Sequence, residues 1–400
     1  MDEMLTLERI YQAAHVLKPV ARKTGLIRAV NLAEDLYLKT ENLQVTGAFK
    51  VRGAYFKLSK LTPEEKKLGV VACSAGNHAQ GVALAAKENG IKSTIFVPSA
   101  APISKIEAAR SYGSDIRLVS GVYDDAYNAA LEYLEQSSAV FVHPFEDLDV
   151  IAGQGTIGLE ILEQLPSVEA VIVPIGGGGL ISGVAYAVKK LNPGCKVYGV
   201  QAAGAGSMAK SLDLGEISTL SKVRTFADGI AVKSPGKMTF SFCSQYVDEI
   251  VTVTDDEIAS AILTLMEKQK LVAEGAGATS VAAALSGKLP IQGKRCVSIV
   301  SGGNIDVNIL SRVINRGLMT AGRLTELTIE LPDMPGQLSR VSGIVSDLGA
   351  NVVKVRHDPS GENSDINGCF LHLSMETKNL DHLQEIRDAL SKAGYKILSD

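Results

Sequence analysis

A chain of 400 residues has room for two or three domains. Its 46% apolar content can fill large cores, which excludes intrinsic disorder. With 40 basic against 44 acidic side chains, it has no general attraction for nucleic acid or anionic membrane.

The five cysteines (Cys73, Cys195, Cys243, Cys296, Cys369) are far apart and form no CxxC pair. They read as reduced, buried thiols of a cytoplasmic protein, not as disulfides or a zinc site. The start, MDEMLTLERI, carries acids and no apolar core, unlike a signal peptide. Residues 170–188 are uncharged, but Pro174 and Gly176 to Gly179 divide them into strand, turn and helix, so no membrane span is expected.

From about residue 37 to 310, short β-rich runs alternate with helical patterns. The runs at 70–74, 93–98, 115–120, 139–144, 170–175, 195–200 and 296–301 are short and rich in apolar, β-branched residues. Patterns such as AQGVALAAKENG and PISKIEAARSYG lie between them and end on glycine. This predicts an α/β body with helices on both faces of a mostly parallel sheet. Near Arg323 the rhythm changes. LTELTIEL alternates with period two, a helix closed by Gly349 follows, and two strands, a helix and a last strand YKILSD complete a βαββαβ, ferredoxin-like order. The expected organisation is a body over 1–315 with a smaller lobe at about 45–145, a linker over 316–323, and a tail over 324–400.

Four motifs carry chemistry. In VIVPIGGGGLISG, the run Gly176, Gly177, Gly178, Gly179 stands between a strand and a helix. Backbone N–H groups there can converge on a phosphate; a plain tight turn seldom requires four glycines. A dinucleotide fingerprint fails, because Ser182 stands at the third glycine position and Gln201 where the ribose-binding acid belongs. A P-loop fails as well, since Gly236-Lys237 is followed by Met238. In TGAFKVRGA, Thr46 is expected to cap a helix whose first turn presents Lys50 among Phe49, Val51 and two glycines. Such an amine suits an imine-forming nucleophile, and an ordinary exposed lysine is the alternative. In SAGNHAQG, Ser74, Ala75, Gly76, Asn77 and His78 open a helix after a strand. That arrangement suits a carboxylate or phenolic oxygen, or else is a capped turn with a buried, satisfied histidine. In VSIVSGGN, Ser301 ends a strand at the carboxyl edge of the sheet, the usual ligand position in open α/β folds. The six histidines show no HExxH spacing and no GxSxG occurs, so neither a metal site nor a hydrolase is expected.

Taken in order, TGAFKVRGA, SAGNHAQG, GGGGL and SGGN make the chain resemble the threonine dehydratases (threonine ammonia-lyases). These belong to the fold-type-II pyridoxal-phosphate enzymes, with a tryptophan-synthase-β-like, two-lobed body, as do the serine racemases. The tail, with LPDMPGQL and GANVVKVRH, resembles an ACT domain. The resemblance implies that Lys50 holds pyridoxal 5'-phosphate as a Schiff base and serves as the catalytic base, with Phe49 on one face of the ring and Gly229 on the other. Asn77 would meet the phenolic oxygen, Gly176 to Gly179 and Leu180 the phosphate, and Ser301 the pyridine nitrogen. Ser74, Ala75, Gly76, Asn77 and His78 would receive the substrate carboxylate. Ala75 stands where serine racemases carry a second base, which argues against racemisation. Gln201 and Ser207 replace the acids of their divalent-metal site, so only a monovalent cation stays open.

The implied reaction is dehydration and deamination of L-threonine to 2-oxobutanoate and ammonia, and of L-serine to pyruvate. The competing readings are a serine-preferring dehydratase and a non-catalytic amino-acid sensor. For the tail, the resemblance implies an amino-acid effector near Asp333, Gly336 and Asn351, in a homo-oligomer.

Overall fold

The computed structural model of the chain describes residues 5–101, 103–359 and 368–399. The acidic start Met1 to Met4, Pro102 of an expected helix and Asp400 of the expected last strand lie outside the described residues. The chain divides into two compact units, Met1–Val307 and Asn308–Asp400.

In the first unit, β1 (Leu26–Arg28) and β2 (Leu36–Lys39) pair antiparallel, Ile27 opposite Leu38. The chain then leaves that sheet and builds another from β3 (Val70–Cys73), β4 (Ser93–Pro98), β5 (Asp115–Val119) and β6 (Val140–Phe141). These four are parallel, in the order β5-β4-β3-β6. Next, β7 (Ala170–Pro174), β8 (Lys196–Ala202), β9 (Glu249–Val253) and β10 (Cys296–Ile299) return to the first sheet, giving β1-β2-β10-β7-β8-β9. From β2 to β9 every pairing is parallel. Every residue of β3, β7 and β10 is buried, which explains why they read as apolar runs. The larger core brings Val171, Val173 and Val297 of the sheet against Ile157, Ile181 and Val184 of the covering helices. Each such side chain contributes about 1.5–3 kcal/mol by leaving water.

Three strands escape the sequence pattern. β1, β2 and β9 are short or at the sheet edge and carry charged or polar residues. The expected strand at 139–144 shrinks to Val140–Phe141, because the chain turns away through His143 and Pro144.

A buried ionic cluster holds the helix Lys50–Ser59 in place. The Arg52 guanidinium donates two bonds to Glu41 (both 2.8 Å) and two to Glu160 (2.7 and 3.0 Å). Lys39 joins Glu160 at 2.6 Å. Burial pushes Glu41 up, yet the facing guanidinium holds its carboxyl below the ordinary value. Two cations thus face two anions, and the cluster fixes the helix that presents Lys50.

The second unit opens with helix Val307–Thr320, so residues 316–320 of the expected linker are helical and the break falls at Gly322, with φ +64°. The order that follows is β11 (Leu324–Pro332), helix Gln337–Asp347, β12 (Asn351–Asp358), β13 (Gly368–Glu376), helix Leu380–Lys392 and β14 (Lys396–Ser399). The strands form an antiparallel sheet, β12-β13-β11-β14, the ferredoxin-like arrangement. Leu327, Ile329, Leu371 and Leu373 line one face of it and pack on Val341, Val345, Ile386 and Leu390 of the two helices. All five cysteines are free and buried. Among the described residues, no helix is long and apolar enough to cross a membrane.

Candidate active site

Lys50 is the first residue of its helix, but Thr46 does not cap it. Phe49 occupies the N-cap position without a side-chain bond, and the Thr46 hydroxyl instead donates to the Ala48 carbonyl. What sets the helix start is a backbone bridge to the segment after β10. Ala48 pairs with Gly302, Phe49 N donates to Ser301 O (3.1 Å) and Gly303 N donates to Gly47 O (2.8 Å). Gly47, with φ +69°, makes this approach possible, since a Cβ there would run into the Asn304 amide.

The Lys50 ammonium is half-buried, 5.2 Å from the Phe49 ring centroid, and donates to the Pro144 carbonyl at 2.8 Å. Burial lowers its pKa to about 8, while the Glu274 carboxylate raises it in part. The neighbouring histidines are neutral: burial first, then the Lys50 charge, drives His78 down to about 3 and His143 to about 4.

Besides the helix that begins at Lys50, those beginning at Asn77 and Gly275 are joined by the Asn77–Glu274 bond, and Glu274 acts on the Lys50 charge. The start of the helix at Gly179 lies against Phe145, next to the Lys50 acceptor Pro144. The first-turn N–H groups of these helices have no carbonyl partner within the helix and favour an anion. Gly178, with φ +100°, precedes the helix at Gly179, and a Cβ on it would lie 2.7 Å from Thr239 Cβ. At Gly177 a Cβ would strike the Phe145 ring, so that ring lies directly on the glycine loop and carries it to Pro144, the Lys50 acceptor. Gly176 faces the turn containing Gly229, its Cβ position 3.1 Å from Ile230 Cα. The Leu180 side chain is buried in the core, so only its backbone N–H can serve the loop.

Asn77 lies at the centre of a polar chain. Its Nδ2 donates to Glu274 Oε1 at 2.6 Å, its Oδ1 accepts from Asn304 Nδ2 at 2.8 Å, and Asn304 also donates to Thr46 O at 2.7 Å. Gly229 borders the same carboxylate, its Cβ position 3.4 Å from Glu274 Oε1. Ser301 is buried, its hydroxyl 3.5 Å from the Ala276 carbonyl. Ser74 Oγ accepts from Gly76 N at 3.2 Å, shaping the turn through the half-buried Ala75. His78 takes the plainer of its two readings. Its Nε2–H donates to the Val142 carbonyl at 2.7 Å, so the ring points into the sheet and only its backbone faces the loop.

Sequence reading missed Glu274, Asn304, Phe145 and His143, whose Nδ1 accepts from Phe145 N and Glu146 N. Two signals were visible among them: the acid within LVAEGAGATS, and Asn304 as the last residue of the SGGN motif. The expected effector residues do not converge within one chain. Asp333 and Gly336 flank the turn after β11, whereas Asn351 pairs with Glu376, itself opposite Leu324 at the other end of that strand. Nine residues of strand separate the two ends by roughly 30 Å.

A glycine cradle at a helix N-terminus, a half-buried amine of lowered pKa and a chain of polar side chains together suit an α/β site for an anionic cofactor. The chain belongs to the pyridoxal-phosphate dependent enzymes, whose family model matches residues 17–302, and it carries an ACT domain over residues 325–392. The L-threonine ammonia-lyase of Thermotoga maritima is 51% identical over 398 residues, covering 98% of this chain and 99% of that protein. Among solved structures, the processed form of threonine deaminase isoform 2 from Solanum lycopersicum is 39% identical with a TM-score of 0.73, over 78% of this chain and 94% of that one. Maize serine racemase is 35% identical with a TM-score of 0.74, over 80% and 99%.

The residues present fit the cofactor. The glycine loop leaves no space for side chains where amides must reach a phosphate, and Lys50 is the half-buried amine beside it.

Proposed function

We propose that this enzyme is an L-threonine ammonia-lyase, converting L-threonine to 2-oxobutanoate and ammonia and acting also on L-serine. The observation that carries the reading is Lys50, a half-buried amine with its pKa lowered to about 8 whose acceptor, Pro144, adjoins the ring lying on the glycine loop. Pyridoxal phosphate, when bound, supplies an aldehyde for attachment and an electron sink for charge developing at Cα.

The chain's own residues do the rest. Gly176 to Gly179 and the Leu180 N–H would hold the cofactor's phosphate. Phe49 and Gly229 would bound the two faces of the ring, Asn77 would meet its phenolic oxygen, and the Ser301 hydroxyl would meet its nitrogen. A neutral Ser301 hydroxyl there would leave that nitrogen unprotonated, which would favour expulsion of the β-hydroxyl over transamination. The backbone from Ser74 to His78 receives the substrate carboxylate. Lys50 would hold the cofactor and, when its amine is free, would serve as the base toward the substrate Cα, and its lowered pKa keeps a useful fraction neutral near pH 7. Ala75 offers no base on the opposite face, so racemisation is not supported.

Borohydride reduction of the holoenzyme followed by digestion tests this reading: the modified peptide should contain Lys50. An unmodified Lys50 peptide from cofactor-saturated enzyme would refute it. Discriminating threonine from serine rests on one methyl, about 1–3 kcal/mol, and parallel kcat/KM values decide it. A strong serine preference would replace the threonine assignment with a serine dehydratase.

The ACT domain supports control by an amino-acid effector. Since Asp333 and Gly336 lie far from Asn351, one pocket drawing on all three needs two chains, and we propose a cytoplasmic homo-oligomer. Truncation before Thr325 should abolish the effector response, and an unchanged response would reject the sensing role.

A further inference from the structure

We propose that the second unit carries a transition-metal site of the zinc class, formed by Asp333, His357 and Cys369. The sequence gives no hint of it, because the three residues lie in three separate segments. The sheet brings them together at one end. Cys369 stands opposite Leu331 and Gly368 opposite Pro332, so Asp333 follows one residue beyond the ladder. His357 stands opposite Leu371, two residues from Cys369 and therefore on the same face of the sheet. Their donor atoms all lie within 4.8 Å of one another, and His357 Nε2 is 3.9 Å from Asp333 Oδ1. An ion about 2.0–2.3 Å from each ligand spans such gaps with small side-chain rotations.

The exposure is graded. Cys369 is 1% exposed and packed in the core, whereas the Asp333 and His357 side chains are 56% and 46% exposed. One donor is thus fixed from beneath, while two adjustable donors leave a path to water and room for a fourth ligand. Thiolate, imidazole and carboxylate together suit zinc or cobalt, not calcium or magnesium, which take oxygen. A Cys–His–Asp nucleophile would use the same residues, but it needs a His–Asp hydrogen bond. Here the 3.9 Å gap between His357 and Asp333 is too long for that hydrogen bond. The ion would tie the turn after β11 to the edge strand β12 across β13.

The test uses reduced full-length enzyme stripped of metal with a chelator and titrated with cobalt(II), then zinc(II). One equivalent of cobalt per chain should give the red-end visible bands of a four-coordinate ion, clear of cofactor absorbance and lost on adding zinc. Zinc should also raise the thermal transition of the protein. His357→Gln and Asp333→Asn change exposed side chains and should each weaken binding at least about tenfold. Cys369→Ser should remove the thiolate signature. Failure of the wild type to bind one equivalent, or variants that bind as tightly as the wild type, would overturn the proposal. Neither result bears on Lys50.

Discussion

Replacing Lys50 with methionine in the cofactor-free enzyme removes a half-buried amine whose pKa falls from an ordinary 10.5 to about 8. That fall corresponds to about 3 kcal/mol of folding free energy lost when the site must hold a charge. Below pH 8 both the folded and unfolded states carry the proton, so the whole cost is present. Between 8 and 10.5 the unfolded state binds more protons than the folded one, and the wild type gains stability relative to the variant as pH rises. Above 10.5 neither state is charged and the cost is gone. Lys50→Met should therefore be more stable at pH 7, by about 3 kcal/mol less roughly 1 kcal/mol for the lost bond to the Pro144 carbonyl. The advantage should shrink by about 1 kcal/mol on going to pH 9. Urea unfolding of both proteins at several pH values measures the difference, and shifts from all other groups cancel in it. A difference that stays flat from pH 7 to pH 9 would mean that the amine keeps its ordinary pKa, and the reasoning about Lys50 would be wrong.

Three further outcomes follow from the geometry. Gly178→Ala forces a residue with φ +100° against Thr239 and Met208, so pyridoxal-phosphate affinity should drop at least about tenfold, with about 1–3 kcal/mol of strain; Gly194→Ala, whose nearest neighbour is 3.8 Å away, is the control, and equal cofactor titrations for the two would count against the cradle. Arg52→Leu leaves the buried Glu41 and the partly buried Glu160 short of their main partner, so urea unfolding should show a loss of about 3–5 kcal/mol. Glu274→Gln removes the charge that raises the Lys50 pKa, so the acid limb of cofactor recapture by the apoenzyme should move to lower pH; an unmoved limb would show that Glu274 does not act on the amine.

Much of the architecture was legible in the chain itself. β3, β7 and β10 are buried on both faces, so their residues had to be largely apolar, and the pattern announces them. β1 and β9, largely half-buried or exposed, obey no such requirement, and in β2 the buried Lys39 interrupts the apolar run, so all three stayed hidden. The same contrast holds in the site. The four glycines and Lys50 are local signals, because a cradle and its helix are built from consecutive residues. Asn77 was legible as a candidate, but its partner Glu274 lies 197 residues away, and only the meeting of two helix N-termini joins them.

Thr46 shows the limit of local rules. Its position promised a cap, yet the start of the Lys50 helix is decided by the bridge between Ala48 and Gly302, and the hydroxyl turns back to Ala48. His78 likewise had two local readings, and the carbonyl of Val142 chose between them. By itself the sequence determined the α/β plan, the glycine cradle, the lysine and the ferredoxin-like tail, since each is written in periodicity or in adjacent residues. Only the tertiary structure decided the charge around Lys50, the separation of Asn351 from Asp333, and the meeting of Asp333 with His357 and Cys369. Those depend on strand register and on burial, which join residues that no local pattern connects.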